Sequence, residues 1–220
     1  MSKQKSGYFD ISPLIGPELA TFPGDQPFSR QVALSFEQGD HLELSSVTTT
    51  LHLGAHADAE CHYRSGGQGI EARSLNHYVG LCQVLAAEGR PAAARLGLED
   101  VDVSQVKASR LLLRTKSFPR PQEWTDDFNS LSPELVEALA HKGVITVGID
   151  TPSIDPSNSK DLPCHQQVFK HNMAILEGLV LKDVPEGLYI LIAPPLKIQG
   201  ADASPVRALL YPQNEDFQGL

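Results

Sequence analysis

The stretch "HLGAHADAECH" at residues 52–62 places His52, His56, Asp58 and His62 at offsets of 0, 4, 6 and 10. Those spacings defeat every regular way of bringing four side chains together. In one α-helix, at about 100° per residue, His52 and His56 group together while Asp58 and His62 fall on another face. In one strand all four share a face, but at roughly 3.3 Å per residue the ends lie about 33 Å apart. Convergence therefore requires a strand end followed by a sharp reversal. Gly54, Ala55, Ala57 and Ala59 suit that need, because glycine reaches unusual φ/ψ and small side chains let backbone crowd a site.

Three imidazoles and a carboxylate in so short a span point to a metal centre on this strand-to-loop transition. Zinc takes histidine nitrogen and carboxylate oxygen at about 2.0–2.2 Å, so its donors must crowd together. Structural zinc sites favour cysteine-rich closed tetrahedra, whereas this donor set suits a catalytic ion with a position open to water. His41, His77 and His141 stand alone in the sequence and read as surface or hydrogen-bonded core residues. No G-x-S-x-G, H-E-x-x-H, Walker-type or G-x-G-x-x-G signature is present. "SGGQG" (65–69) lacks the Lys-[ST] of a phosphate loop and reads as a flexible loop beside the site.

The β-branched segment "LSSVTTTLHL" (44–53) predicts a strand running directly into the histidines. "CQVLAAE" (82–88) and "RLLLRT" (110–115) predict two more. Ser132 as N-cap, Pro133 at the first position, Glu134 at the dipole end and Gly143 as stop predict a helix over 133–142. "VITVGID" (144–150) reads as a buried strand, which with 110–115 makes a parallel βαβ unit. Turn chemistry fills "DTPSIDPSNSKDLP". Beyond it, "HQQVFKHNMAILEG" (165–178) predicts a helix, 179–197 a hairpin turning at Pro185–Gly187, and "ASPVRALLY" (203–211) a last strand. Many strands, few helices and one crossover make this an α/β or α+β sheet protein.

A length of 220 residues suits one domain. A net charge of −9 argues against a nucleic-acid or anionic membrane partner. The longest apolar run, "LYILIAPPL" (188–196), is too short to cross a bilayer. "MSKQKSGYFD" shows no apolar leader, and three cysteines without C-x-x-C spacing fit a reducing, cytoplasmic setting.

The same residues match a known signature, H-x-G-[TA]-H-x-D-x-P-x-H, at His52, Gly54, Ala55, His56, Asp58 and His62. Further blocks match at "FPGDQPF" (22–28), "GIDTPSIDP" (148–156), "HQQVFKHNMAILEGLVLKDVPEG" (165–187) and "DASPVRALL" (202–210). Over nearly its whole length the chain resembles the bacterial kynurenine formamidases (arylformamidases) of the cyclase-like metal-dependent hydrolases. The "GIDTPSIDP" and "DASPVR" blocks are the more specific to that branch. The resemblance implies a mixed-sheet, swivelling β/β/α fold in a single domain (1–220), a homodimer or larger assembly, and two zinc ions, with manganese as the alternative. It puts His52, His56 and Asp58 on the first ion and Asp58, His165 and Glu177 on the second. It makes His62 the acid/base and sets Phe22 against the substrate's aryl ring. The reaction implied is hydrolysis of N-formylkynurenine to kynurenine and formate, in tryptophan breakdown. A related hydrolase of another aryl amide or isatin-type lactam, and a non-catalytic metal-binding protein, are the alternatives.

Four features bear on that assignment. His165 and Glu177 stand twelve positions apart, about 18 Å along one helix, so they share an ion only if the segment breaks or His165 sits in the preceding loop. Glu60 replaces the family's usual proline and is either solvated or raises the pKa of His62. Phe22 replaces the usual tryptophan, keeping an aromatic face without the indole N–H. Cys61 and Cys164 flank His62 and His165 as inert or oxidation-sensitive thiols.

Overall fold

A computed structural model describes residues 7–213; residues 1–6 of the stretch read above for a leader lie outside the described residues. In chain order the first strands are β1 (Phe9–Asp10), β2 (Ser29–Leu34), β3 (Leu44–Thr48), β4 (His56–Asp58), β5 (Val79–Ala86), β6 (Arg95–Leu96) and β7 (Arg110–Arg114). They are followed by β8 (Ser130–Leu131), β9 (Thr146–Ile149), β10 (Ala174–Glu177), β11 (Gly187–Ile192), β12 (Ala203–Pro205) and β13 (Leu209–Pro212). The α-helices are α1 (Glu60–Tyr63), α2 (Pro133–His141) and α3 (Pro163–Lys170).

The unbroken leucines of β7 leave that strand no polar face, so both of its sides must be covered. Leu111 and Leu113 cluster with Leu135 and Leu139 of α2 and Val168 of α3. Leu112 points the other way, to Val84, Leu176 and Leu191. β7 accordingly sits in the middle of a nine-stranded sheet of order β1-β13-β11-β5-β7-β9-β10-β4-β12. Its four central strands, β5, β7, β9 and β10, run parallel. The flanking pairs are antiparallel, which makes the architecture mixed α/β as expected.

The βαβ unit forms as read. Ser132 accepts a hydrogen bond from the Leu135 amide to start α2, and Gly143 turns at φ +92° to end it. β7 and β9 pair in parallel through Leu112 and Gly148.

Five readings are corrected. The strand expected over 44–53 stops at Thr48, opposite Ser29 of β2, in a separate hairpin. Pro27, just before β2, has no N–H to extend the ladder, and residues 49–55 are irregular. The helix expected over 165–178 ends at Lys170. Asn172 takes a left-handed φ of +49°, which asparagine tolerates, and the chain continues as β10 between β9 and β4.

The expected 179–197 hairpin holds only its second strand, β11, because Leu179, Leu181 and Val184 bury in the core rather than pair. The last predicted strand divides into β12 and β13, on opposite sides of the sheet. Pro205 closes β12, again for want of an N–H. Finally, "SGGQG" is a turn bonded to α1, with Gly67 N–H donating to the Arg64 carbonyl and Cys61 N–H to that of Gln68.

The parallel strands β7, β9 and β10 end on one side of the molecule, and Lys116, Asp150 and Gly178 just beyond them line a common cavity. Crevices outside the carboxyl ends of parallel strands are the usual binding place in open α/β sheets. β4 runs antiparallel to β10 and so begins at this same edge, with His56 in register opposite Glu177.

Candidate metal centre

The histidine stretch folds in three pieces: an irregular loop with His52, strand β4 with His56 and Asp58, and helix α1 with His62. Two glycines make the packing possible. Gly54 turns at φ +66° against Pro13 and Leu19, and Gly178 turns at φ +64° directly after Glu177. A Cβ on Gly178 would lie 2.1 Å from the Gly54 carbonyl oxygen, so only a glycine lets the two segments meet.

His165 arrives in the first turn of α3 and Glu177 at the end of β10. The expected helix is therefore broken between them, which is the condition set above for their meeting. The ligand atoms of His52, His56 and Asp58 lie within 4.8 Å of one another, and so do those of Asp58, His165 and Glu177. All five sequence-derived ligand candidates thus converge, with Asp58 common to both groups. His52 Nδ1 is 3.1 Å from Asp58 Oδ1, and His165 Nε2 is 3.4 Å from Asp58 Oδ2. His56 Nε2 lies 3.5 Å from Asp58 Oδ1 and 3.3 Å from Glu177 Oε2.

Three of these four distances are long for hydrogen bonds and suit donors arranged around cations. Both Asp58 oxygens and His56 Nε2 are buried and make no hydrogen bond. Such atoms cost about 1–3 kcal/mol each when nothing satisfies them, and more when charged. The outward nitrogens, by contrast, are all engaged: His56 Nδ1 is 2.8 Å from the Gly54 carbonyl, His52 Nε2 is 3.2 Å from Asp202 and His165 Nδ1 is 2.8 Å from Asp155. Three rings pinned from outside, with their free nitrogens turned onto two carboxylates, fit the requirements of a divalent cation site.

The electrostatics agree. Burial pushes the Asp58 carboxyl up, but His165 and His52 beside it outweigh this and hold it well below its usual range. Burial lowers His52 and His165, and their carboxylate neighbours outweigh it, raising them to about 9 and about 10 respectively. In both cases the site favours positive charge beside ionised carboxylates, which is the charge a metal ion supplies. His62 differs: burial dominates and its pKa falls below the ordinary value. Its ring lies 4.1 Å from that of His52, and Nδ1 is 3.8 Å from Asp202.

The centre opens into a cavity of about 770 Å³ whose lining includes His52, His56, His62, His165 and Glu177. Phe22 is in its wall, 45% exposed, with Trp124 edge-on at 5.0 Å. Sequence reasoning missed Trp124, although it is the chain's sole tryptophan. It also left Asp155 and Asp202 without a role inside blocks it had singled out. Glu60, by contrast, is neither solvated nor directed at His62. It pairs with Arg73, which is buried and donates from Nη2 to the Met173 carbonyl at 2.7 Å. The Cys164 thiol turns away to the Leu131 carbonyl, and Cys61 Sγ contacts the Ala201 carbonyl.

Residues 9–156 match the Cyclase family model. The chain is also 42% identical over 210 residues to the kynurenine formamidase of Bordetella pertussis, covering 92% of this chain and 96% of that protein. The chain belongs to the cyclase family. A solved potential metal-dependent hydrolase with cyclase activity superposes with a TM-score of 0.81 at 28% identity, over 94% of this chain and 98% of that one. An isatin hydrolase bound to thioisatinate shares the cyclase fold at TM-score 0.80 and 19% identity, over 94% of this chain and 92% of that one.

Proposed function

We propose that the protein is a metal-dependent arylformamidase that hydrolyses N-formylkynurenine to kynurenine and formate. The observation that carries this is the pair of three-donor groups joined through Asp58, opening beside His62 onto an aromatic-walled cavity. Similarity to the Bordetella kynurenine formamidase supports the substrate class. The ions are two zincs per chain, because nitrogen and carboxylate donors suit zinc, with manganese the alternative.

Such ions, when bound, bring the pKa of a water near neutrality and polarise a carbonyl. His62, held neutral by burial, accepts a proton from the attacking water and delivers it to the aryl nitrogen as the C–N bond breaks. Hydroxyl ends on the formyl carbon and hydrogen on the amine, so the atoms of one water are accounted for. Phe22 and Trp124 line the part of the cavity that would receive the aryl group. Asp58, His165 and Glu177 are almost fully buried, so the centre is reached only from the cavity side.

We place the active form as a homodimer in the cytoplasm. Among the described residues the β2–β3 hairpin pairs only with itself, and it exposes Phe36, Leu44 and Val47 at 67%, 54% and 60%. Two-stranded ribbons are marginal alone in water, and a second copy would cover this one. Light scattering measures that mass directly. The three free cysteines favour a reducing compartment.

The test is hydrolysis of N-formylkynurenine by purified protein after chelation and after return of zinc or manganese. Loss and recovery of turnover support the reading. A metallated protein that opens isatin but ignores the formamide would transfer it to the lactam hydrolases, and one inert on a panel of formanilides would make it a binding protein.

A further inference from the structure

The blocks "GIDTPSIDP" and "DASPVR" contribute no ligand, yet each sends one aspartate to the back of a ligand ring. Asp155 is fully buried. Its carboxylate accepts from His165 Nδ1 at 2.8 Å, from the His165 amide at 3.1 Å and from the Cys164 amide at 3.0 Å. Arg95 Nη1 lies 3.7 Å from its Oδ1. Leu162, at the start of α3, provides no side-chain cap, so Asp155 from the preceding loop both caps this helix and fixes its first-turn histidine. Asp202 is half-exposed; its Oδ2 lies 3.2 Å from His52 Nε2 and 3.8 Å from His62 Nδ1.

We propose that Asp155 and Asp202 are positioning residues of the metal centre. Asp155 holds His165 for the Asp58–His165–Glu177 group, and Asp202 holds His52 for the His52–His56–Asp58 group. The inference rests on the metal-centre reading. A carboxylate accepting from one imidazole nitrogen fixes the tautomer, so the lone pair on the other nitrogen faces inward, and it makes that nitrogen more basic. Removing such a partner typically costs about 10–100-fold in metal affinity. The two aspartates are not equivalent. Water can replace the half-exposed Asp202, but Asp155 is fully buried and water does not reach the back of His165 in its place.

The experiment is competition of the whole protein against a chromophoric zinc chelator, with the melting temperature of each metal-free variant recorded alongside. Asp155→Asn keeps an oxygen that can cap the helix but loses the charge. It should weaken one of the two ions about tenfold or more while the metal-free protein melts near the wild-type temperature. Asp202→Asn should weaken the other ion by a smaller factor. Repeating Asp155→Asn in a His165→Gln background should cost nothing further, because the residue acts through that ring, while Asp202→Asn should still weaken the remaining ion.

Wild-type affinity in Asp155→Asn, or an equal loss with and without His165, would overturn the inference and leave Asp155 a helix cap. Should Asp155→Ala fail to fold, the asparagine variants still decide the matter. A wild-type protein that takes up no ion would overturn the metal-centre reading itself, and this inference with it.

Discussion

Among the described residues, two separate clusters combine histidine with carboxylate, and only one has the makings of a metal centre. The inner cluster gathers His52, His56, Asp58, His165 and Glu177 at the edge of the sheet. The outer one gathers Glu137 and His141, one turn apart on α2, with His171 just past the end of α3. The outer three donors, and each of the two inner groups joined at Asp58, lie within 4.8 Å of one another, and His171 Nε2, like His56 Nε2, makes no hydrogen bond.

Charge and surroundings separate them. Lys170 Nζ sits 2.6 Å from Glu137 and holds that carboxyl below its usual range, so the outer negative charge is already answered. The outer rings meet edge to face at 5.4 Å with His141 in solvent. In the inner cluster no lysine or arginine pairs with Asp58 or Glu177 among the described residues, and both Asp58 oxygens are buried without hydrogen bonds. A metal site therefore needs more than proximity. It needs unanswered negative charge, burial, and outward nitrogens already engaged.

The sharpest way to break the contrast is Asp58→Ala, which should remove both ions and abolish formamidase turnover. Metal analysis showing two ions retained would sink the shared role of Asp58. His62→Ala should lose about 10²–10⁴-fold in kcat with metal content intact; a loss of zinc instead would make His62 a ligand. Glu60→Ala leaves Arg73 buried without its partner and should cost about 3 kcal/mol by chemical denaturation, while the protein that still folds binds its metal normally. An unchanged unfolding midpoint would contradict that pairing. Trp124→Ala should raise KM for an aryl formamide up to about tenfold, with Trp124→Phe largely restoring it; equal KM values would remove Trp124 from the substrate wall. At the small end, His141→Ala and His171→Ala should leave zinc stoichiometry unchanged and stability within about 0.5 kcal/mol. Loss of an ion from either would erase the distinction between the clusters.

How far each element could be read depends on the range of the interactions that make it. Helix α2 was legible because its signals are adjacent: Ser132 caps, Pro133 starts and Gly143 stops. The leucine run of β7 likewise announced a strand, and the fold covers it on both faces. "NMAILEG" carries good helix formers and still became β10, because its position between β9 and β4 buries all four strand residues. The same pairing puts Glu177 opposite His56, which no local pattern could specify.

The donor types, the glycine that lets them crowd and the need for a chain reversal were all present in residues 52–62. From those alone the chemistry of the centre could be argued, since ligand identity and turn geometry are short-range properties of the chain. Only the folded sheet decided that His165 and Glu177 meet Asp58, that Glu60 answers Arg73 rather than His62, and that Asp155 and Asp202 stand behind the ligand rings. Those contacts join segments about ten to more than a hundred positions apart. They exist because β10 pairs with β4, α3 docks on the opposite face and Gly178 lets the two loops touch.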